Sequence, residues 1–133
     1  MNLRRDVVIL ACAVSAGIHG ALAPEHFEEG AGAGIGFVVS TILLAALGVA
    51  LTVRPASRIP AAGAAFVFAG LLVSYGLAVT TGFPVLHPEP ERIDGLALVT
   101  KTFEVVGLVA ALDPRWRRSA VSLPLIQPKG TLT

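Results

Sequence analysis

Four long apolar runs, separated by three short polar intervals, set the layout of this 133-residue chain. The runs cover about residues 7–23, 32–53, 60–82 and 93–112. Each is near the ~20 residues that an α-helix needs to cross a ~30 Å hydrocarbon core. The intervals read PEHFEEGA, RPASRI and FPVLHPEPER, and each holds a proline, which suits chain reversal outside a helix. No interval has room for a further domain. The pattern predicts an all-α fold: residues 1–133 as a single membrane domain, a polytopic antiparallel bundle of four transmembrane helices, with residues 113–133 as a cytoplasmic tail.

Composition points the same way. Hydrophobic residues make up 54% of the chain and charged ones only 14%, whereas a soluble domain carries about 25% charged residues. The partner implied is the lipid bilayer, and a net charge of +1 gives no reason to expect nucleic-acid binding. Arginine placement sets the orientation. Arg4 and Arg5 precede the first run, Arg54 and Arg58 fill the second interval, and Arg115, Arg117 and Arg118 follow the fourth run. With Lys129, eight of the ten basic residues fall on one face, which should be cytoplasmic, with both termini on that side. Trp116, among these arginines, fits an interface anchor. Ala21-Leu22-Ala23 resembles a signal-peptide cleavage site, but Pro24 directly after it opposes cleavage, so the first run is expected to remain as a span. The alanine, glycine and arginine content fits a bacterial cytoplasmic membrane. Cys12, the one cysteine, excludes an internal disulfide and reads as a small packing residue.

The stretch GAGAGIG from Gly30 to Gly36 lacks the Lys-Ser/Thr ending of a phosphate-binding loop. Gly30/Gly34 and Gly32/Gly36 are instead small-xxx-small pairs, which let helix backbones approach closely in lipid.

Chemistry concentrates at the outer end. His19, His26 and His87 lie there, as do Glu25, Glu28, Glu29, Glu89, Glu91 and Asp94. Imidazole and carboxylate ligands in a small volume suit Cu, Zn or Fe. In His19-x5-Glu25-His26, Pro24 is expected to end or bend the helix, so that Glu25 and His26 fold back over His19. Cys12, Ser15 and His19 share one helix face. In the fourth run, Lys101 and Glu104 are neighbours three residues apart, with Glu104 about 16 Å below the outer end. Two charges at a helix centre cost about 5–7 kcal/mol on insertion scales, and the apolar residues of the run offset only about 5 kcal/mol. Both charges should therefore face the bundle interior and pair with each other. A polar pocket open to the outside, walled by the first, third and fourth spans, follows as an expectation.

The whole chain resembles a group of small four-span bacterial integral membrane proteins of no established activity. The resemblance is carried by His19 with Pro24-Glu25-His26, by Thr81-Gly82-Phe83-Pro84, and by Asp94-Gly95-Leu96 leading to Glu104. It implies the topology and singles out these residues, and it implies no mechanism. Three functions stay open at this level. The first is an outward-facing transition-metal site built from some of His19, Glu25, His26, His87 and Glu104. The second is a non-catalytic structural or assembly subunit, with a membrane-protein partner or a second copy of the chain against the glycine faces. The third is a small transporter using Glu104 as a proton or cation site, a role opposed by the adjacent Lys101. No hydroxyl or thiol nucleophile stands beside a base in a recognisable motif, which argues against an enzyme.

Overall fold

Lipid-length apolar runs fold here into four α-helices. The structure, a computed structural model, describes residues 2–82 and 93–113. The helices are α1 (Leu3–Glu29), α2 (Ala31–Val53), α3 (Ile59–Thr80) and α4 (Gly95–Leu112), and all four are long and apolar enough to cross a membrane. The chain is a multi-pass membrane protein with an all-α four-helix architecture. At ~1.5 Å per residue, the shortest helix, α4, is about 27 Å long and the longest, α1, about 40 Å. His87, Glu89, Glu91, Trp116 and the predicted tail lie outside the described residues.

Cross-helix neighbours give the arrangement. Between α1 and α2, Cys12 lies by Gly48, Gly20 by Thr41 and Phe27 by Gly34. As one number rises the other falls, so the two helices run antiparallel. The same holds for α1 and α4, where Arg4 meets Asp113, Ala11 meets Gly107 and Ser15 meets Glu104. It holds again for α3 and α4, through Phe68 with Gly107 and Tyr75 with Lys101. The helices form a ring in chain order. The α1–α2 interface is the most extensive, those of α1–α4 and α3–α4 follow, α2–α3 is the sparsest of the four, and the α1–α3 diagonal barely touches.

One helix end differs from the sequence expectation. Pro24 does not end α1, which continues to Glu29 with the proline inside it. A proline removes one backbone hydrogen bond and bends a helix, but membrane helices tolerate this when packing holds both sides. The reversal falls instead on Gly30, a single residue between α1 and α2, whose N–H donates to the His26 carbonyl at 3.0 Å. Close approach at that corner depends on Gly34, where an added Cβ would overlap the Phe27 ring. At α4, the Asp94 side chain caps the helix by accepting from the Ala97 N–H at 2.7 Å.

The core lies in the half of the bundle nearer Arg4 and is built from Val8, Ala11, Cys12, Leu44, Leu51, Ala61, Ala64 and Phe68. Outside, Ile42 and Val49 on α2, Phe66 and Val73 on α3, and Val106 and Val109 on α4 are exposed. Such a surface is unfavourable in water and natural in hydrocarbon. Most span hydroxyls, expected to bond between helices or back to their own, take the second option. Ser40, Thr52, Thr80, Thr100 and Thr102 each donate to a carbonyl one turn back at 2.6–2.9 Å.

Gly107 generates a direct test. A Cβ there would stand 2.6 Å from Phe68 and 2.7 Å from Ala11, whereas at Gly36 it meets nothing within 4 Å. Gly107→Ala is expected to lose about 1–3 kcal/mol through overpacking, with Gly36→Ala close to the wild type, as read by thermal unfolding in mild detergent. Equal stability of the two variants would contradict the α1–α3–α4 packing described.

Candidate functional site

A carboxylate at the middle of α4 organises the site. Glu104 has no solvent exposure, and the apolar span around it offers few groups able to satisfy a charge, so its partners come from polar side chains one helix turn or one helix away. On α4, Lys101 lies three residues earlier and its Nζ donates to Glu104 Oε2 at 2.7 Å. On α1, Ser15 Oγ donates to Glu104 Oε1 at 2.9 Å. The two carboxylate oxygens therefore have different partners on different helices. Lys101 also sits 5.2 Å from the centre of the Tyr75 ring on α3, within cation–π range.

His19 follows Ser15 by one turn on α1 and is buried. Its Nδ1 lies 2.8 Å from the Ser15 carbonyl oxygen. A carbonyl only accepts, so Nδ1 carries the proton and donates. Nε2 is 3.9 Å from Glu104 Oε1, too long for a hydrogen bond and close enough for strong electrostatic interaction. His26 repeats the pattern two turns later, with Nδ1 2.9 Å from the Leu22 carbonyl oxygen. Phe37 of α2 lies against both rings, stacked on His26 at 3.6 Å between centroids and tilted against His19 at 5.1 Å.

These groups border a cavity of about 300 Å³ between all four helices. Asp94, His26 and Gly32 lie toward one end of the bundle, and His19, Lys101, Ser40 and Leu71 lie deeper. Below them the Phe68–Gly107–Ala11 contacts and the apolar core fill the bundle. Glu104 does not line the cavity and sits behind Lys101 and His19. The space is largely apolar, with the Lys101 ammonium and the His19 imidazole at its depth.

Several expectations meet the structure here. The Lys101–Glu104 pair forms inside the bundle, and His19 joins it through Ser15. A cavity lies there, but it is largely apolar in place of the expected polar pocket, and α2 forms a wall of it together with α1, α3 and α4. Because α1 runs through Pro24, Glu25 and His26 do not fold over His19. The seven-residue spacing keeps His26 on the His19 face about 10.5 Å further along the axis, and Glu25 is exposed. Glu28 and Glu29 are exposed at the end of α1, and Asp94 is exposed at the end of α4. Among the described residues, no group of three or more His, Cys, Asp or Glu side chains converges as a metal site. Of the glycines, Gly34 serves the α1–α2 corner and Gly32 and Gly36 line the cavity. Phe37 and Tyr75 escaped sequence reasoning, since an aromatic residue in an apolar span carries no periodic signal. Their scarcity was the only hint: the chain holds one tyrosine and six phenylalanines.

No family model, no curated protein and no solved structure matches this chain. Its own residues carry the functional reading.

The buried ion pair predicts an asymmetric mutational response. Lys101→Met leaves the Glu104 carboxylate without its counter-charge and is expected to cost about 3–5 kcal/mol. Lys101→Met/Glu104→Leu, which removes both charges, should recover most of that loss. Unfolding in mild detergent of the wild type, both single variants and the double variant measures the coupling. Simple additivity would show that the two side chains do not interact.

Proposed function

We propose that this chain is a small-molecule binding protein of the membrane, with a cavity reached from one side and a polar blind end at mid-bilayer. The observation that supports it most is the 300 Å³ cavity ending on Lys101, held by Glu104, and on His19, held by the Ser15 carbonyl. Ligand sites of this kind are mostly apolar, with a few placed polar groups, and their volumes run from about 300 to 1,000 Å³. Ionisable residues inside a membrane are costly and mark ligand or ion pathways.

The transition-metal reading has less support. His19 and Glu104 approach each other, but Lys101 already occupies the carboxylate, and His26 is turned to Phe37 and the Leu22 carbonyl. For the assembly-subunit reading, Gly34 is already used in a contact within the chain and Gly32 and Gly36 line the cavity, which leaves less of that glycine face for a partner. Proton- or cation-coupled transport through Glu104 meets the same Lys101 counter-charge.

Orientation is part of the proposal. Arg4, Arg5, Arg54 and Arg58 lie at the closed end of the bundle, while Glu25, Glu28, Glu29 and Asp94 lie at the open end. The positive-inside rule places the closed end in the cytoplasm, with the cavity opening outward from a bacterial cytoplasmic membrane and both termini inside.

Two measurements test this reading. Intact-complex mass spectrometry of the full chain released from mild detergent should show a retained small organic molecule, absent from Gly36→Phe, whose ring would fill the cavity. Identical spectra from the two proteins would remove the binding role. In cells, Ser74→Cys should react with a membrane-impermeant thiol reagent added outside, while buried Cys12 stays unlabelled. Labelling of Ser74→Cys only in inverted vesicles would reverse the orientation.

A further inference from the structure

Resting on the ligand-pocket reading, we propose that the cavity takes a small amphipathic monoanion of the carboxylate class, and that one proton is taken up with it on His19. The lining sets the ligand's shape. Phe37, Leu71 and Ala78 give it an apolar body, while the deep end presents the Lys101 ammonium and the His19 imidazole. The acid on the wall is Asp94 at the mouth, whose carboxylate accepts the Ala97 N–H as a helix cap. Glu104 is withdrawn behind Lys101 and His19. A bound molecule thus meets hydrocarbon along its length and, at its head, an ammonium with hydrogens left to give, which favours a head that accepts hydrogen bonds. Of the three ammonium hydrogens on Lys101, one is given to Glu104 Oε2.

Charge counting brings in the proton. Lys101 and Glu104 cancel, so an anion entering alone would leave a net negative charge in a low-dielectric site, which is strongly unfavourable. A group beside the head must supply the counter-charge. The titratable groups around it are Lys101, Glu104 and Asp94 on α4, Tyr75 on α3, and His19, His26 and Cys12 on α1, while α2 carries none. His19 is placed for the task. Its Nδ1–H is committed to the Ser15 carbonyl, and its Nε2 is open to accept a proton and then donate it to the ligand head, with the Glu104 carboxylate 3.9 Å away as a nearby negative charge. The balance is simple: the ligand carboxylate stays ionised, and the buffer's acid form gives one proton to His19 Nε2 and is left as its conjugate base.

The test uses the full chain in an uncharged detergent at pH 7.5 and three probes that differ only in the head: octanoate, octanol and octylammonium. Each is titrated calorimetrically into the wild type and into Gly36→Phe, whose filled cavity subtracts partitioning into micelles. Octanoate should bind at least about tenfold tighter than octanol, a ratio worth about 1.4 kcal/mol. Titrations in two buffers of different protonation enthalpy should show uptake of about one proton per octanoate, and this uptake should vanish in His19→Gln. Octanoate no tighter than octanol, or octylammonium the tightest, would overturn the anion inference and leave the pocket standing. Proton uptake that is absent in the wild type, or unchanged in His19→Gln, would overturn the role of His19. If no probe is distinguishable from the Gly36→Phe blank, the pocket itself falls along with the inference.

Discussion

A carboxylate held at the centre of a membrane span constrains everything around it. Glu104 has no access to solvent, and an unpaired charge there would be too costly for the fold to keep. Lys101 on the same helix supplies the counter-charge, but a lysine alone leaves the second oxygen unsatisfied. Ser15 completes the set, which requires α1 to pack beside α4 at that level. The same register brings Arg4 to Asp113 at the ends of those helices at 2.8 Å and puts Gly107 against Ala11 and Phe68. Small residues allow the close approach, and the polar triad fixes which faces meet. Helix association in lipid gains little from the hydrophobic effect, so such specific contacts carry an unusual share of the bundle's geometry.

From that point outward the molecule divides into two halves of different character. Toward Arg4, alanines, Cys12, Leu44, Leu51 and Phe68 fill the interior. Toward Asp94 the interior opens, because Gly32, Ala33 and Gly36 on α2 and Ser74 and Ala78 on α3 are too small to close the ring. Aromatic rings then partition the space. Phe37 lies against both histidines, and Tyr75 lies beneath the Lys101 ammonium. The cavity is thus the complement of the packed half, left open where small residues of α2 and α3 have no large neighbour to fill the space before them.

Much of this was legible in the chain. Apolar runs of membrane length gave the four helices, and insertion energetics turned Lys101 and Glu104 inward toward each other. Cys12, Ser15 and His19 share one helix face, which the structure turns into the interior, and the Ser15 contact to Glu104 follows because α1 and α4 are neighbours. Pro24 misled, because proline as a helix terminator is a rule about isolated helices in water, and packing in a membrane overrides it. The end of α1 lay six residues further on, at Glu29, and with it the histidines separated along the axis instead of converging. The contribution of α2 was also hidden. That helix carries no titratable residue, and its role rests on absent side chains and one ring, which leave little trace in hydropathy.

The uneven ring of interfaces has its own consequence. A single residue joins α1 to α2, and their interface is the broadest in the molecule, so the pair behaves as one hairpin. The seam between α2 and α3 is the thinnest between neighbours, and both helices line the cavity. Of the four seams around the ring, this one costs least to part, so local loosening of the bundle is expected to begin there, with the α1–α2 hairpin moving as a unit.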